Sequence, residues 1–500
     1  MRLIKYSVII LMIFLWVNPS YSGTTFTTKA GILSIGGYFE NASGLRLGQE
    51  GRGRLTMCRT SIQPDIFFDT GKGVRFFLAQ RLVKETKYTL EDKLRKKAGL
   101  PPLESDFYDE YDSWSVRELY FDIDLLENLN IRIGRQLITW GETDVFTLLD
   151  VIDPQDSSWN LPGLFPLEET RLPLSGLRAL WTMPSMGMTT NPVFEFVYFP
   201  GLDDFRVNKG APTAGRFRPH PEDRPGAAFP FQFPQIPLSD WRSIGRNVGV
   251  RTVLPEKHGD NGRVGGRLYF FIGRWNFSIA DYYTYNLSPN FYIENIERDD
   301  LGIARAAQFA VKYKRQNIVG FTFNVSDDYT KATYNGEFAY YINKPYNTYD
   351  PNIKNAVVQK DTLSSVIRIE RPTYIPLLQP YDPTREFVIS FQWFQDLILS
   401  KDDNLHFLIY KTPIDKVTTR LTLSIATGYK NDQWKPSVFW AYDPDRNNGL
   451  FRGILEYNPP WNERYKLQIL YENFWGKDSY NFAGFFREKD SIFFKIRYQF

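Results

Sequence analysis

Apolar and polar residues alternate one for one through much of this chain, and the last ten positions show the pattern most clearly. From Ser491 to Phe500, the side chains of Ile492, Phe494, Ile496, Tyr498 and Phe500 fall on one face, and Lys495, Arg497 and Gln499 on the other. A β-strand sends successive side chains to opposite faces, so this stretch is a ribbon with an apolar side and a charged side. The same reading applies where Tyr465, Leu467, Ile469 and Tyr471 oppose Lys466, Gln468 and Glu472. Val74, Phe76, Leu78 and Leu82 oppose Arg75 and Arg81, while Leu119, Phe121, Ile123 and Leu125 oppose Glu118, Asp122 and Asp124. Similar patterns run through 263–272, 275–285, 317–325, 386–394 and 419–428. So many two-faced ribbons, with aromatics concentrated on the apolar side, predict strands that separate lipid from water.

The spacing of these ribbons sharpens the prediction. Tight connections at Asn128, Gly273-Arg274 and Arg315-Gln316 alternate with long ones near 84–115, 139–174, 200–262 and 286–304. Short turns on one side and long loops on the other are the connectivity of a closed antiparallel transmembrane barrel, with the long loops extracellular and the short turns periplasmic. The expected fold is therefore all-β, with about 18 strands and a range of about 16 to 20. Closure is obligatory, because an open strand edge in hydrocarbon would leave backbone groups without hydrogen bonds.

The amino-terminal end differs. Arg2 and Lys5 precede an apolar run from Tyr6 to Val17, followed by Ser20, Ser22 and Gly23. That order predicts a secretory signal peptide over 1–22, cut after Ser22, and a barrel over 23–500 with inserted loops 84–115, 139–174 and 200–262. The apolar run is too short to cross a bilayer as a helix, which takes about 20 residues. Mean hydropathy is −0.37, which excludes a helical membrane protein but suits strands that are half polar. The net charge is +3 with both signs interspersed, so no nucleic-acid partner is expected. The single cysteine, Cys58, excludes an intramolecular disulfide framework, and His220, His258 and His406 are too scattered for a metal set. No enzyme, cofactor or metal is predicted.

Candidate chemistry lies in the loops and on the inward faces. After the strand at 129–138, alternation breaks at Arg135 and the chain runs through Gln136, Trp140, Gly141, Glu142, Asp150, Asp153, Pro154, Gln155 and Asp156. Two readings stand: an inward-folded constriction or latch carried by Arg135, Gln136, Trp140, Glu142, Asp153 and Asp156, or an outer loop whose Asp residues serve turns. The segment 200–237 is rich in Pro and Phe, an irregular loop whose rings either line a greasy entry or pack on the rim. In the loop 84–115, Tyr88 to Gly99 has helical spacing and a basic end suited to lipopolysaccharide phosphates, while Glu104 to Asp112 is acidic; the commoner role of such runs is a solvated face. Parity assigns Arg75, Arg81, Arg132, Arg178, Arg267 and Arg497 to the lumen, alongside Glu118, Asp122, Asp124, Glu195 and Glu472. This is a mixed wall with a slight basic excess, and only a dominant sign gives ion selectivity.

The string Gly134-Arg135-Gln136, then Trp140-Gly141-Glu142, then Asp153 and Asp156, together with the closing aromatic strand, resembles a large uncharacterised family of proteobacterial outer-membrane barrels known as a domain of unknown function. More distantly it is similar to alginate-export and other porin-like barrels. Tyr498 and Phe500 resemble the C-terminal signal read by the barrel-assembly machinery. The resemblance implies a Gram-negative outer-membrane location, lipid and lipopolysaccharide contacts, and partnership with an envelope lipoprotein-like protein and an inner-membrane efflux-type transporter. It also implies movement of small hydrophobic molecules. The expected function is an outer-membrane channel or transporter for such molecules through a loop-constricted barrel. The rival expectations are a porin for polar or anionic solutes or polysaccharide, and a surface adhesin or envelope scaffold with a closed lumen.

Overall fold

The structure is a computed structural model that describes residues 23–500 except 50–51, 101–112, 142, 144–145, 147, 157–166, 203–205, 207–235, 237–239, 241–242, 245–246, 380–384, 401, 403, 407–412 and 477–482. Its strands, in chain order, are β1 (Thr24–Thr28), β2 (Gly31–Arg46), β3 (Leu55–Asp69), β4 (Val74–Glu85), β5 (Ser113–Leu126), β6 (Leu129–Gln136), β7 (Leu174–Thr182) and β8 (Thr189–Phe199). There follow β9 (Val248–Val253), β10 (Arg263–Ile272), β11 (Trp275–Tyr285), β12 (Asn290–Arg298), β13 (Ala304–Lys312), β14 (Arg315–Asp327), β15 (Ala332–Thr348) and β16 (Val357–Thr373). The last are β17 (Phe387–Ile398), β18 (Leu405–His406), β19 (Val417–Ala426), β20 (Trp434–Asp443), β21 (Asn448–Tyr457), β22 (Tyr465–Trp475) and β23 (Ser491–Gln499). The longer helix, α1 (Thr86–Lys97), follows β4 and is capped by the Glu85 carboxylate, which accepts from Lys87 N; a single helical turn, α2 (Leu167–Thr170), precedes β7.

Each barrel strand pairs antiparallel with its successor, and β23 pairs back onto β2 from Tyr38↔Gln499 to Arg46↔Ser491. Without the short β1 and β18, the twenty-stranded sheet is a closed ring of eighteen strands among the described residues. Closure is finished by Phe500: its carbonyl accepts from Gly37 N at 2.9 Å and its N–H donates to Gly37 O at 3.0 Å. Gly37 has φ +144°, and a Cβ there would stand 2.1 Å from the Gln63 carbonyl oxygen, so the crowded seam requires glycine.

The outward face has the predicted apolar parity. Phe121, Ile133, Ile279, Trp393 and Phe494 are each about half exposed, as residues meant for lipid rather than a packed core. At the short-turn end, Trp181, Trp275, Trp434, Tyr465 and Tyr498 form the aromatic girdle expected at a membrane interface, with Tyr465 and Tyr498 rings 4.9 Å apart. Asp281 breaks the apolar belt. It lies on the outward face between Ile279 and Tyr283, opposite Gly266, at the edge of a groove of about 550 Å³ walled by Phe194, Phe196 and Val319. A carboxylate facing hydrocarbon costs on the order of 1 kcal/mol. Asp281→Leu is expected to raise the thermal unfolding midpoint of the purified barrel, read by circular dichroism; a lowered midpoint would show that the carboxylate has a stabilising contact.

At the long-loop end, β9, β12 and β13 form a separate three-stranded sheet over a small apolar core of Ile236, Ile244, Ile293, Ala307 and Phe309. It is fastened to β15 by Asn347, which donates to Phe291 O at 2.6 Å and accepts from Phe291 N. β15 and β16 run 17 residues each and continue beyond their neighbours on this side.

Candidate channel constriction

The segment between β6 and β7 lies inside the barrel, because its apolar side chains pack on strand residues of inward parity. Its first residues are clipped in place: Ile138 N donates to the Asp153 carboxylate at 2.7 Å. Ile138, Trp140 and Ile152 then bury themselves against Leu174, Val197, Phe199, Ala280 and Tyr282. The Trp140 and Tyr282 rings meet edge-on at 5.8 Å. Farther along, Leu148 and Leu149 lie on Ile318, Ala339, Tyr341, Val366 and Phe394, and Tyr341 Oη donates to Leu148 O at 2.6 Å. Phe146 reaches the Phe394 ring at 5.2 Å and is capped by the Arg420 guanidinium at 5.1 Å. The loop thus crosses the inner wall from β7 to β19.

Small residues in the wall make this footing. A Cβ on Gly320 would sit 2.3 Å from Leu149 Cδ2, and one on Gly265 would sit 2.9 Å from Trp140. Ala280 and Ala339 occupy neighbouring inward positions by register. Burying a leucine or tryptophan on such a shelf contributes about 1.5–3 kcal/mol per side chain.

The return leg is held by charge. Arg171 is buried and pairs with the buried Asp150 carboxylate; it also donates to Thr139. Asp156 N donates to Thr170 O and Leu172 N to Pro154 O, both at 2.7 Å, which folds the leg back on itself. Burial pushes the Asp153 carboxyl well above the usual range; the Ile138 N–H works against that, and the neighbouring Asp150 charge reinforces it. Glu169 reaches the opposite wall, where it pairs with Arg497 and lies 3.9 Å from Arg81. Burial works to raise its carboxyl, but Lys495, Arg81 and Arg497 together bring it below the usual range.

Beyond this footing the wall is charged, on the strands facing the loop and, on β7, β8 and β10, at positions nearer the short turns. Arg75 bridges Asp122 at 3.2 Å and Asp124 at 2.7 Å, and Arg132 pairs with Asp122 at 2.6 Å while lying over the Tyr120 ring. Arg178 pairs with Glu195 at 2.6 Å, and Arg497 with Glu40 at 2.6 Å. Arg267 lies over Tyr269 and has no ion pair among the described residues. Of Arg75, Arg81, Arg132, Arg178, Arg267 and Arg497, all but Arg267 have a carboxylate partner among the described residues.

The residues singled out after Arg135 separate into three groups. Trp140 and Asp153 meet at the loop's anchorage on β8, β10 and β11, and Asp156 lies on the return leg. Arg135 and Gln136 remain in the sheet, opposite Ser175 and Leu174, with Gln136 Nε2 donating to Gly176 O at 3.2 Å. Glu142 lies outside the described residues, as does nearly all of the Pro- and Phe-rich stretch. Leu148, Leu149, Glu169 and Arg171 were not singled out. Their signal was indirect: glycines and alanines at inward positions of strands otherwise lined by large or polar groups.

The family described as "Protein of unknown function (DUF1302)" matches residues 53–500. The chain belongs to this family. No curated protein matches it. Among solved structures, this DUF1302 chain is similar to OccK5 (OpdH) of Pseudomonas aeruginosa, with 9% identity and a TM-score of 0.46 over 93% of this chain and 97% of that one. OccAB3 of Acinetobacter baumannii matches at 9% identity and TM-score 0.47, over 94% and 99%. OmpF of Salmonella typhi, solved in complex with daunomycin, matches at 9% and 0.43, over 95% and 100%.

Proposed function

We propose that this DUF1302 protein is an outer-membrane channel for small polar solutes. An eighteen-stranded ring is wide enough to hold an aqueous lumen, and here the β6–β7 loop fills one flank of it. The observation that carries the reading is the division of the inner wall. The apolar footing on β7 to β17 is consumed by contacts with Trp140, Leu148 and Leu149, and the inward positions left open present Arg75, Asp122 and Arg132 on the facing strands and Arg178, Glu195 and Arg267 on the short-turn side of that footing. Charged and hydrogen-bonding groups along a narrowed path favour hydrated polar cargo over greasy molecules, whose entry would strip water from those groups without replacing its hydrogen bonds.

Planar-bilayer recording tests this directly. The wild-type protein is expected to give discrete openings, and a variant with 140–152 replaced by a short Gly-Ser link is expected to give a severalfold larger conductance. Absence of openings from both proteins would remove the channel proposal. Liposome swelling adds the cargo class: faster entry of sugars or amino acids supports polar transport, whereas uptake confined to apolar solutes would contradict it.

A further inference from the structure

Register in β5 skips one residue. Ala79 of β4 pairs with Glu118 and Gln80 with Val116, leaving Arg117 without an opposing position. Such a bulge turns two successive side chains toward the same side and re-aims the extra one. Here it adds Arg117 to the lumen beside Glu118, although strict alternation would send it to lipid with Leu119. Only 9% of Arg117 is exposed, and it makes no hydrogen bond or ion pair with a described residue. Its electrostatic neighbours are Arg81, Tyr38, Glu118, Glu169 and Asp65.

Every one of those neighbours has other engagements. Arg81 donates to Tyr38 Oη at 2.6 Å, to Gln63 Oε1 at 3.0 Å and to Glu169 O at 3.3 Å. Glu118 accepts from Leu137 N at 3.3 Å, Asp65 accepts from Gln63 at 3.1 Å, and Glu169 is bound to Arg497. A guanidinium largely withdrawn from water, with no counter-charge in contact and no nitrogen wholly shut off from the lumen, gains from an anion that can reach it from there. A second guanidinium, that of Arg81, faces the same space. We propose that Arg117, with Arg81 beside it, is an anion-binding station of the lumen at the foot of the constricting loop, taking a small monoanion: the carboxylate of a solute or an inorganic ion such as chloride.

The proposal deepens the channel reading, because the station borders the passage, yet its occupancy is measurable in detergent with no transport at all. Chloride NMR line width on the purified full-length barrel is the assay. Wild type is expected to broaden the chloride line saturably, Arg117→Lys to keep the effect, and Arg117→Gln to lose most of it. Sodium benzoate that reverses the broadening identifies carboxylates as ligands; benzoate that leaves it unchanged restricts the station to inorganic anions. Equal broadening by Arg117→Gln and wild type overturns the proposal. So does a strictly linear chloride response in wild type alone, which needs no variant to fold. If the station binds but bilayers show no openings, the channel reading fails and the site stands.

Discussion

Arg171→Ala is expected to release the constricting loop from the barrel wall. The guanidinium is 4% exposed and the Asp150 carboxylate it pairs with 2% exposed, and Asp153 sits close by. Removing one member of a buried ion pair costs about 3–5 kcal/mol, because the other charge is left without compensation. That is comparable with the hydrophobic hold of one or two of the docked side chains, each worth about 1.5–3 kcal/mol. The return leg therefore loses its main charged clamp while Trp140, Leu148 and Leu149 keep their apolar footing. The expected readout is larger, noisier single-channel conductance together with protease cleavage within 137–173. A double replacement, Asp150→Leu with Arg171→Met, is expected to restore quiet, narrow openings, since an apolar pair of similar volume often substitutes for a buried ion pair. Unchanged conductance and protease resistance in Arg171→Ala would show that the shelf alone holds the loop.

The second large effect is expected at the seam. Gly37→Val puts a branched Cβ where the Gln63 carbonyl oxygen already stands 2.1 Å away, in a backbone conformation at φ +144° that side-chain-bearing residues rarely adopt. Strain of this kind costs upwards of about 3 kcal/mol once the clash is added to the unfavourable dihedral. The cost falls on the residue whose two backbone hydrogen bonds hold Phe500, so the last strand loses its terminal fastening. The variant is expected to lose the compact, heat-modifiable gel band of a closed barrel. Phe39→Val, two residues on and outward-facing, is expected to retain it. A normal band from Gly37→Val would mean that closure does not depend on this backbone geometry.

The wall was readable from sequence because lipid imposes a strict code. Any residue of the wrong parity faces the wrong solvent, which is why Phe494 and Ile496 could be separated from Lys495 and Arg497 by position alone. Arg117 escaped because a bulge shifts parity by one without any change in composition. The seat of the loop escaped for a different reason: Leu148 and Leu149 carry no periodic signal, and their positions depend on contacts with Gly320, Ala339 and Val366, hundreds of residues away in sequence. The cluster of Trp140, Asp150 and Asp153 was visible as a break in alternation, but the break does not say which way a chain folds. Burial decides that, and burial depends on the complementary surface presented by the wall.

Seventeen-residue β15 and β16 have another consequence. About 10 residues carry a tilted strand across hydrocarbon, so roughly seven more, at about 3.4 Å each, project some 24 Å along the strand direction. They form a stiff mast, joined at Asn347 and Thr348 by the short β18 and stayed at Asn347 by the neighbouring sheet. Its tip at 349–356 is tied down as well, by Tyr349 N to Asn404 O at 2.8 Å and Ile293 N to Asn355 O at 3.2 Å, with Ala356 buried in the small sheet's core, so an insertion there would loosen the sheet at the barrel mouth before it reached the wall.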